Sequence, residues 1–112
     1  MNDRILSLLG LAARGRNLVS GEFSTEKVVK EGKAALVVVS SEASENTKKM
    51  FTNMCAYYRT PLFFYGTKDA IGHALGKEIR ASAAVTDTGL AASIIKLLEE
   101  SEDRTEVIEW PK

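Results

Sequence analysis

Ala35-Leu36-Val37-Val38-Val39-Ser40 is an unbroken apolar run holding three consecutive valines. A strand with one face in water alternates apolar and polar residues, so a run with no alternation predicts a strand covered on both faces. Such a strand belongs in the middle of a sheet with helices on each side.

Outward from that run, the pattern repeats. Downstream, Ser44 caps a predicted helix that places Met50, Phe51, Met54, Cys55 and Tyr58 on one face, and Thr60-Pro61 closes it. Leu62 to Tyr65 follows as a strand, then a helix begins at Gly66-Thr67, with Ile71, Ala74 and Leu75 inward, and stops at Gly76. Ala83 to Thr86 is a short strand. A last helix, capped by Asp87 or Thr88, carries Leu90, Ala91, Ile94, Ile95 and Leu98 on one stripe. Upstream, Ile5, Leu8, Leu9 and Ala12 recur at helical spacing behind Asn2 or Asp3, and the run stops at Gly15. Asn17 to Ser20 is extended, and Gly21 introduces a short helix that ends at Gly32. Alternating helices and strands predict an α/β fold: a three-layer α/β/α sandwich in a single domain, with a central mixed sheet of about four strands and about five helices. The predicted domain spans 1–100, and 101–112 form an acidic tail in which Trp110 either docks back or floats.

The chain has 112 residues, enough for one hydrophobic core, with 45% hydrophobic and 27% charged residues. Its zero net charge is unevenly spread. From Glu99 onward there are six acids, Glu99, Glu100, Glu102, Asp103, Glu106 and Glu109, against Arg104 and Lys112. Taking these from the 15 and 15 of the whole chain leaves 13 bases and 9 acids in residues 1–98. A basic body is compatible with phosphate binding, and equally with a solvated surface. The apolar run from Ala34 to Val39 is too short to span a bilayer, and no signal peptide is apparent. A lone cysteine, Cys55, precludes an intramolecular disulfide, so the expectation is a cytoplasmic, reducing setting without cofactor or metal.

Several chemistries fail on their residues. Gly10-Leu11-Ala12-Ala13-Arg14-Gly15 has P-loop glycine spacing, yet Arg16-Asn17 stands where Lys-Ser/Thr is needed and a helix precedes it. No Gly-x-Gly-x-x-Gly follows a strand. His73 has no serine or cysteine nucleophile motif beside it and reads as a surface or boundary residue. Glu99-Glu100 and Glu102-Asp103 sit at a fraying helix end, where two carboxylates cannot be desolvated into separate acid and base roles. No enzyme signature remains.

What remains is Gly21-Glu22-Phe23-Ser24-Thr25-Glu26-Lys27-Val28-Val29-Lys30-Glu31-Gly32. This segment resembles the kink-turn-binding ribosomal protein superfamily. Those proteins have a glycine here, then any residue, Asn-Glu, two variable residues, Lys, and a second glycine eleven positions after the first. Ile71-Gly72-His73-Ala74-Leu75-Gly76 resembles their Leu-Gly-Arg-Ala-Val-Gly turn, and the likeness spans about residues 4 to 98. Within the superfamily, Leu9-Gly10-Leu11-Ala12-Ala13-Arg14 followed by Gly15 and Gly21 is similar to the bacterial YlxQ-like group.

The resemblance implies a protein without catalysis that binds structured RNA, ribosomal RNA foremost, with the ribosome as partner; a monomer is the default expectation. The contacts would come from Gly21, Glu22, Phe23, Ser24 and Lys27 at the second helix, with Arg14, Arg16 and Lys30 extending the basic face. The loop Lys77-Glu78-Ile79-Arg80-Ala81-Ser82 falls where relatives place a second RNA-contacting loop, with Lys77, Ile79 and Arg80 as its contacts. The physics agrees, since a helix N-terminus offers unpaired N–H groups and the positive end of a dipole to phosphate. Phe23-Ser24 replaces the superfamily's Asn-Glu pair, so the usual contacts to sheared purine pairs are not available. Phe23 is either a base-stacking ring or a staple packed at the helix start, and Ser24 either a hydrogen-bonding group or a cap. The alternative reading is a protein-interaction module on the same fold that has lost kink-turn recognition.

Overall fold

A computed structural model describes residues 3–101 and the backbone of 106–108. Five helices and five strands alternate: α1 (Arg4–Arg14), β1 (Leu18–Ser20), α2 (Glu22–Lys30), β2 (Leu36–Val39), α3 (Glu45–Tyr58), β3 (Leu62–Phe64), α4 (Lys68–Ala74), β4 (Ser82–Val85), α5 (Thr88–Glu100) and β5 (Glu106–Ile108). They form one mixed sheet in the order β1-β4-β2-β3-β5. β2 and β3 are parallel, while β4 runs antiparallel to both β1 and β2, and β5 antiparallel to β3.

The valine run behaves as its composition requires. Leu36, Val37, Val38 and Val39 are each fully buried, and alternate residues enter different cores because side chains on a strand point to opposite faces. Leu36 and Val38 join Ile5, Leu9, Phe63, Ile71, Ile94 and Leu98 under α1, α4 and α5. Val37 and Val39 join Val29, Phe51, Met54, Cys55, Leu62 and Phe64 under α2 and α3. The sheet is thus the shared wall of two cores. Burial among apolar groups pushes the Cys55 thiol up to about 12, as expected for a packing residue without redox exposure.

Two expectations change. Segment 106–108 lies within the expected acidic tail, yet its backbone pairs with β3 and gives a fifth strand: Leu62 faces Ile108 and Phe64 faces Glu106. An exposed edge strand has unpaired N–H and C=O groups, and a β-branched Val107-Ile108 pair suits that edge. Trp110 lies outside the described residues. Tyr58, expected on the buried face of α3, is 39% exposed. The chain turns through left-handed Arg59 (φ 56°) immediately after it, so Tyr58 stands at the end of the helix and not over the sheet.

Sheet polarity sets where function can sit. β1, β2 and β3 all finish at one end of the sheet, where β4 and β5 begin, because Ser20 pairs with Ala83, Val39 with Ser82 and Phe64 with Glu106. The starts of α2, α3 and α4 therefore gather at that end, together with the loop entering β4.

Candidate nucleic-acid interface

Helix starts differ sharply in how they are closed. Asp3 accepts from the Leu6 N–H, Ser44 from Thr47, Thr67 from Ala70 and Asp87 from Leu90, so four of the five helices carry side-chain caps. The Lys68 N–H at the start of α4 also donates to the Glu42 carboxylate at 3.0 Å. α2 starts on Gly21, which has no side chain to offer. Its φ of 94° and ψ of 153° favour glycine, and this conformation aims the helix out of β1. The N–H groups of Glu22, Phe23 and Ser24 thus receive no cap from Gly21 at the positive end of the helix dipole.

The rings and charges on this turn face solvent. Phe23 is 79% exposed, so it is not a packed staple. Ser24 is a third-position helical residue, not the cap, because the helix begins after Gly21. Glu22 and Lys27 are exposed, and Lys27 has no ion-pair partner among the described residues.

The second loop meets this turn through the sheet. Gly21 donates its N–H to the Ser82 carbonyl at 3.0 Å, extending the β1–β4 pairing by one step. Arg80 donates from Nε to Ser20 Oγ at 3.0 Å and from Nη1 to the Ile79 carbonyl at 2.9 Å, and its N–H donates to the Lys68 carbonyl at 3.1 Å. Arg80 is thereby the clasp between the end of β1 and the loop. Beneath it, a Cβ on Gly72 would lie 2.6 Å from the Glu78 carbonyl oxygen, so only glycine lets the loop lie flat on α4. Lys77 and Ile79 are left projecting, Ile79 with 54% of its surface exposed.

Of the eleven residues expected at the interface, the structure brings eight to one end: Gly21, Glu22, Phe23, Ser24, Lys27, Lys77, Ile79 and Arg80. Three lie elsewhere. Arg16 is at the opposite end of β1, beside Asn17, whose carbonyl accepts from the Thr86 N–H. Asn17 and the three residues of β1 separate it from Gly21, about 16 Å at the usual rise. Arg14 closes α1 and lines a groove of about 430 Å³ between α1 and α4 with Asp3, Ser7 and His73. Lys30 ends α2 and donates to Glu26 at 2.8 Å. Ser20, Ser82 and Gly72 build the seam; Ser82 ends the expected second loop, while Ser20 and Gly72 were not expected at the site. Ser20 faces Ala83 and Ser82 faces Val39 through strand pairing, which leaves no periodic trace.

The model of the ribosomal protein L7Ae/L30e/S12e/Gadd45 family matches residues 3–95. This chain belongs to that family. Among curated relatives, it is 42% identical over 92 residues to the RNA-binding protein YlxQ of Bacillus subtilis (strain 168), covering 82% of this chain and 92% of that one. It is 34% identical over 97 residues to the RNA-binding protein YlxQ of Enterococcus faecium, covering 87% and 93%. Among solved structures, a Bacillus halodurans protein of unknown function superposes with a TM-score of 0.85 at 38% identity, covering 88% of this chain and 99% of that one. A Giardia lamblia 15.5kD RNA binding protein superposes with a TM-score of 0.74 at 23% identity, covering 89% and 92%, a likeness of fold alone. Among the described residues, no helix is long and apolar enough to cross a membrane.

Proposed function

We propose that this protein binds structured RNA, ribosomal and kink-turn-like, without catalysing a reaction, at the sheet end where α2 starts and the 77–80 loop meets it. The observation that carries this reading is the uncapped start of α2 held against the second loop by Gly21–Ser82 and Arg80–Ser20 hydrogen bonds. Backbone N–H groups there suit phosphate oxygens or base-edge acceptors, and Lys27, one turn on, adds a full positive charge. That relatives sharing 42% and 34% of their residues are named RNA-binding supports the same reading. Phe23-Ser24 stands where the superfamily's Asn-Glu pair acts, so Phe23 contributes a stacking face to an unpaired base in place of polar contacts to purine edges. The protein acts as a cytoplasmic monomer, with RNA as its partner.

Direct binding of the purified protein to a kink-turn RNA and to an unkinked duplex, each at two salt concentrations, tests the proposal. Preferential, salt-dependent binding to the kink-turn is expected. Lys27→Ala should weaken it and reduce the slope of log affinity against log salt by roughly one, the signature of one lost phosphate contact. Absence of RNA binding at low salt would overturn the reading in favour of a protein-interaction module.

A further inference from the structure

Of the large hydrophobic side chains exposed among the described residues, Leu11 lies on α1 and Ile79 on the loop, while Phe23, Tyr57 and Tyr58 lie on α2 and α3. Those last three are all aromatic. Phe23, Lys27 and Lys30 are spaced four and three residues apart, which places them on one face of α2, and all three are exposed. From Phe23 to Lys30 this stripe runs about 10 Å along the helix axis.

α2 and α3 start at the same end of the sheet and pack side by side over one core, so their far ends also lie together. Tyr58 ends α3 within electrostatic reach of Lys30. Lys30 holds its proton more tightly than a free lysine, first through its hydrogen bond and charge attraction to Glu26 and last through Tyr58. Tyr57 is 79% exposed, and its ring meets Tyr58 edge to face, with centroids 4.8 Å apart and planes at 76°. This contact orients the Tyr57 ring although no core packs against it.

We propose that the RNA-binding surface continues from the start of α2, past Lys27 and Lys30, to Tyr57 and Tyr58, where an unpaired stretch of RNA flanking the structured element stacks. The proposal rests on the RNA-binding reading above and adds a single-stranded segment to the ligand. Cations interleaved with exposed aromatic rings fit a strand whose phosphates repeat and whose bases all present a π face. Protein interfaces are depleted in lysine, whereas this patch carries the exposed Lys27 and Lys30 between its rings. The exposed Glu26–Lys30 pair is readily exchanged for a phosphate, since an ion pair in water holds little net energy.

The test compares three probes against the full chain: a kink-turn RNA, the same RNA carrying a short uridine extension at its 5′ or 3′ end, and the oligouridine alone. One of the extensions should raise affinity. Tyr57→Ala should cancel that gain, about five- to hundred-fold, and leave the unextended RNA bound as before. Tyr57→Phe, which keeps a ring, should retain the gain. Alanine is the best helix former and Tyr57 is exposed, so the variant will fold. Equal affinity for extended and unextended RNA, or a gain that survives Tyr57→Ala, overturns the track while leaving the main site standing. Failure to bind the unextended kink-turn overturns the proposed function instead. In that case, oligouridine binding that is lost in Tyr57→Ala would still support the track, and its absence would remove it.

Discussion

Thr25 shows how the start of α2 is anchored. Its side chain is fully buried, and among the described residues its Oγ1 finds no hydrogen-bond partner. A buried hydroxyl without a partner costs about 1–3 kcal/mol. Valine has nearly the same shape without the hydroxyl, so Thr25→Val should stabilise the protein by about 1 kcal/mol in denaturant unfolding, with RNA affinity unchanged. A loss of stability would mean that the hydroxyl is satisfied in solution. Phe23, two positions earlier, has the opposite environment: it is open to solvent and free to stack. Composition alone left it equally a staple or a stacking ring, because a ring's neighbours are set by where the helix exits the sheet.

At the level of elements, the loop entering β4 depends on Arg80. Its guanidinium holds Ser20 Oγ and the Ile79 carbonyl at once, which a lysine cannot do because its ammonium lacks the planar fork. Arg80→Lys keeps the charge and loses the clasp. The expected result is RNA affinity lowered about ten-fold, an unchanged salt slope, and faster amide exchange across residues 77–80. A slope reduced by one with exchange unaltered would instead make Arg80 a phosphate contact. The capped starts of α1, α3, α4 and α5 were legible in the sequence, since Asp, Ser and Thr before an apolar stripe are local signals. That Arg80 would meet Ser20, sixty residues earlier, was not.

Across the whole molecule, two cores share the β2 strand, so neither layer has a complete core without the sheet. Phe51 on α3 and Phe63 on β3, one in each core, are both essentially inaccessible, at 0% and 2% exposure. Truncating Phe51 to alanine should cost about 3–5 kcal/mol. Far-UV circular dichroism and protection of α1 amides should then lose signal in one coincident transition, although α1 lies on the opposite face of the sheet. Separate transitions would show that the two layers unfold independently. The order β1-β4-β2-β3-β5 also puts β5 at the edge opposite β1. The backbone of β5 is therefore three strands from β4, about 14 Å across the sheet.

Alternating apolar patterns, local caps and glycine stops were enough for the sequence alone to determine the sandwich, the order of the five helices and first four strands, and most of the residues that pack inward. These features depend on neighbours three or four residues away or on the two-residue repeat of a strand. Gly21, Phe23 and Lys27 were singled out by the resemblance of their segment to the superfamily, and they fall at the start and in the first two turns of α2. Only tertiary structure decided that Arg14, Arg16 and Lys30 lie apart from that turn, that residues 106–108 form a fifth strand, and that Arg80 closes on Ser20. Each of these is set by strand polarity and register, and those come from pairing between distant segments whose side chains carry no shared local period.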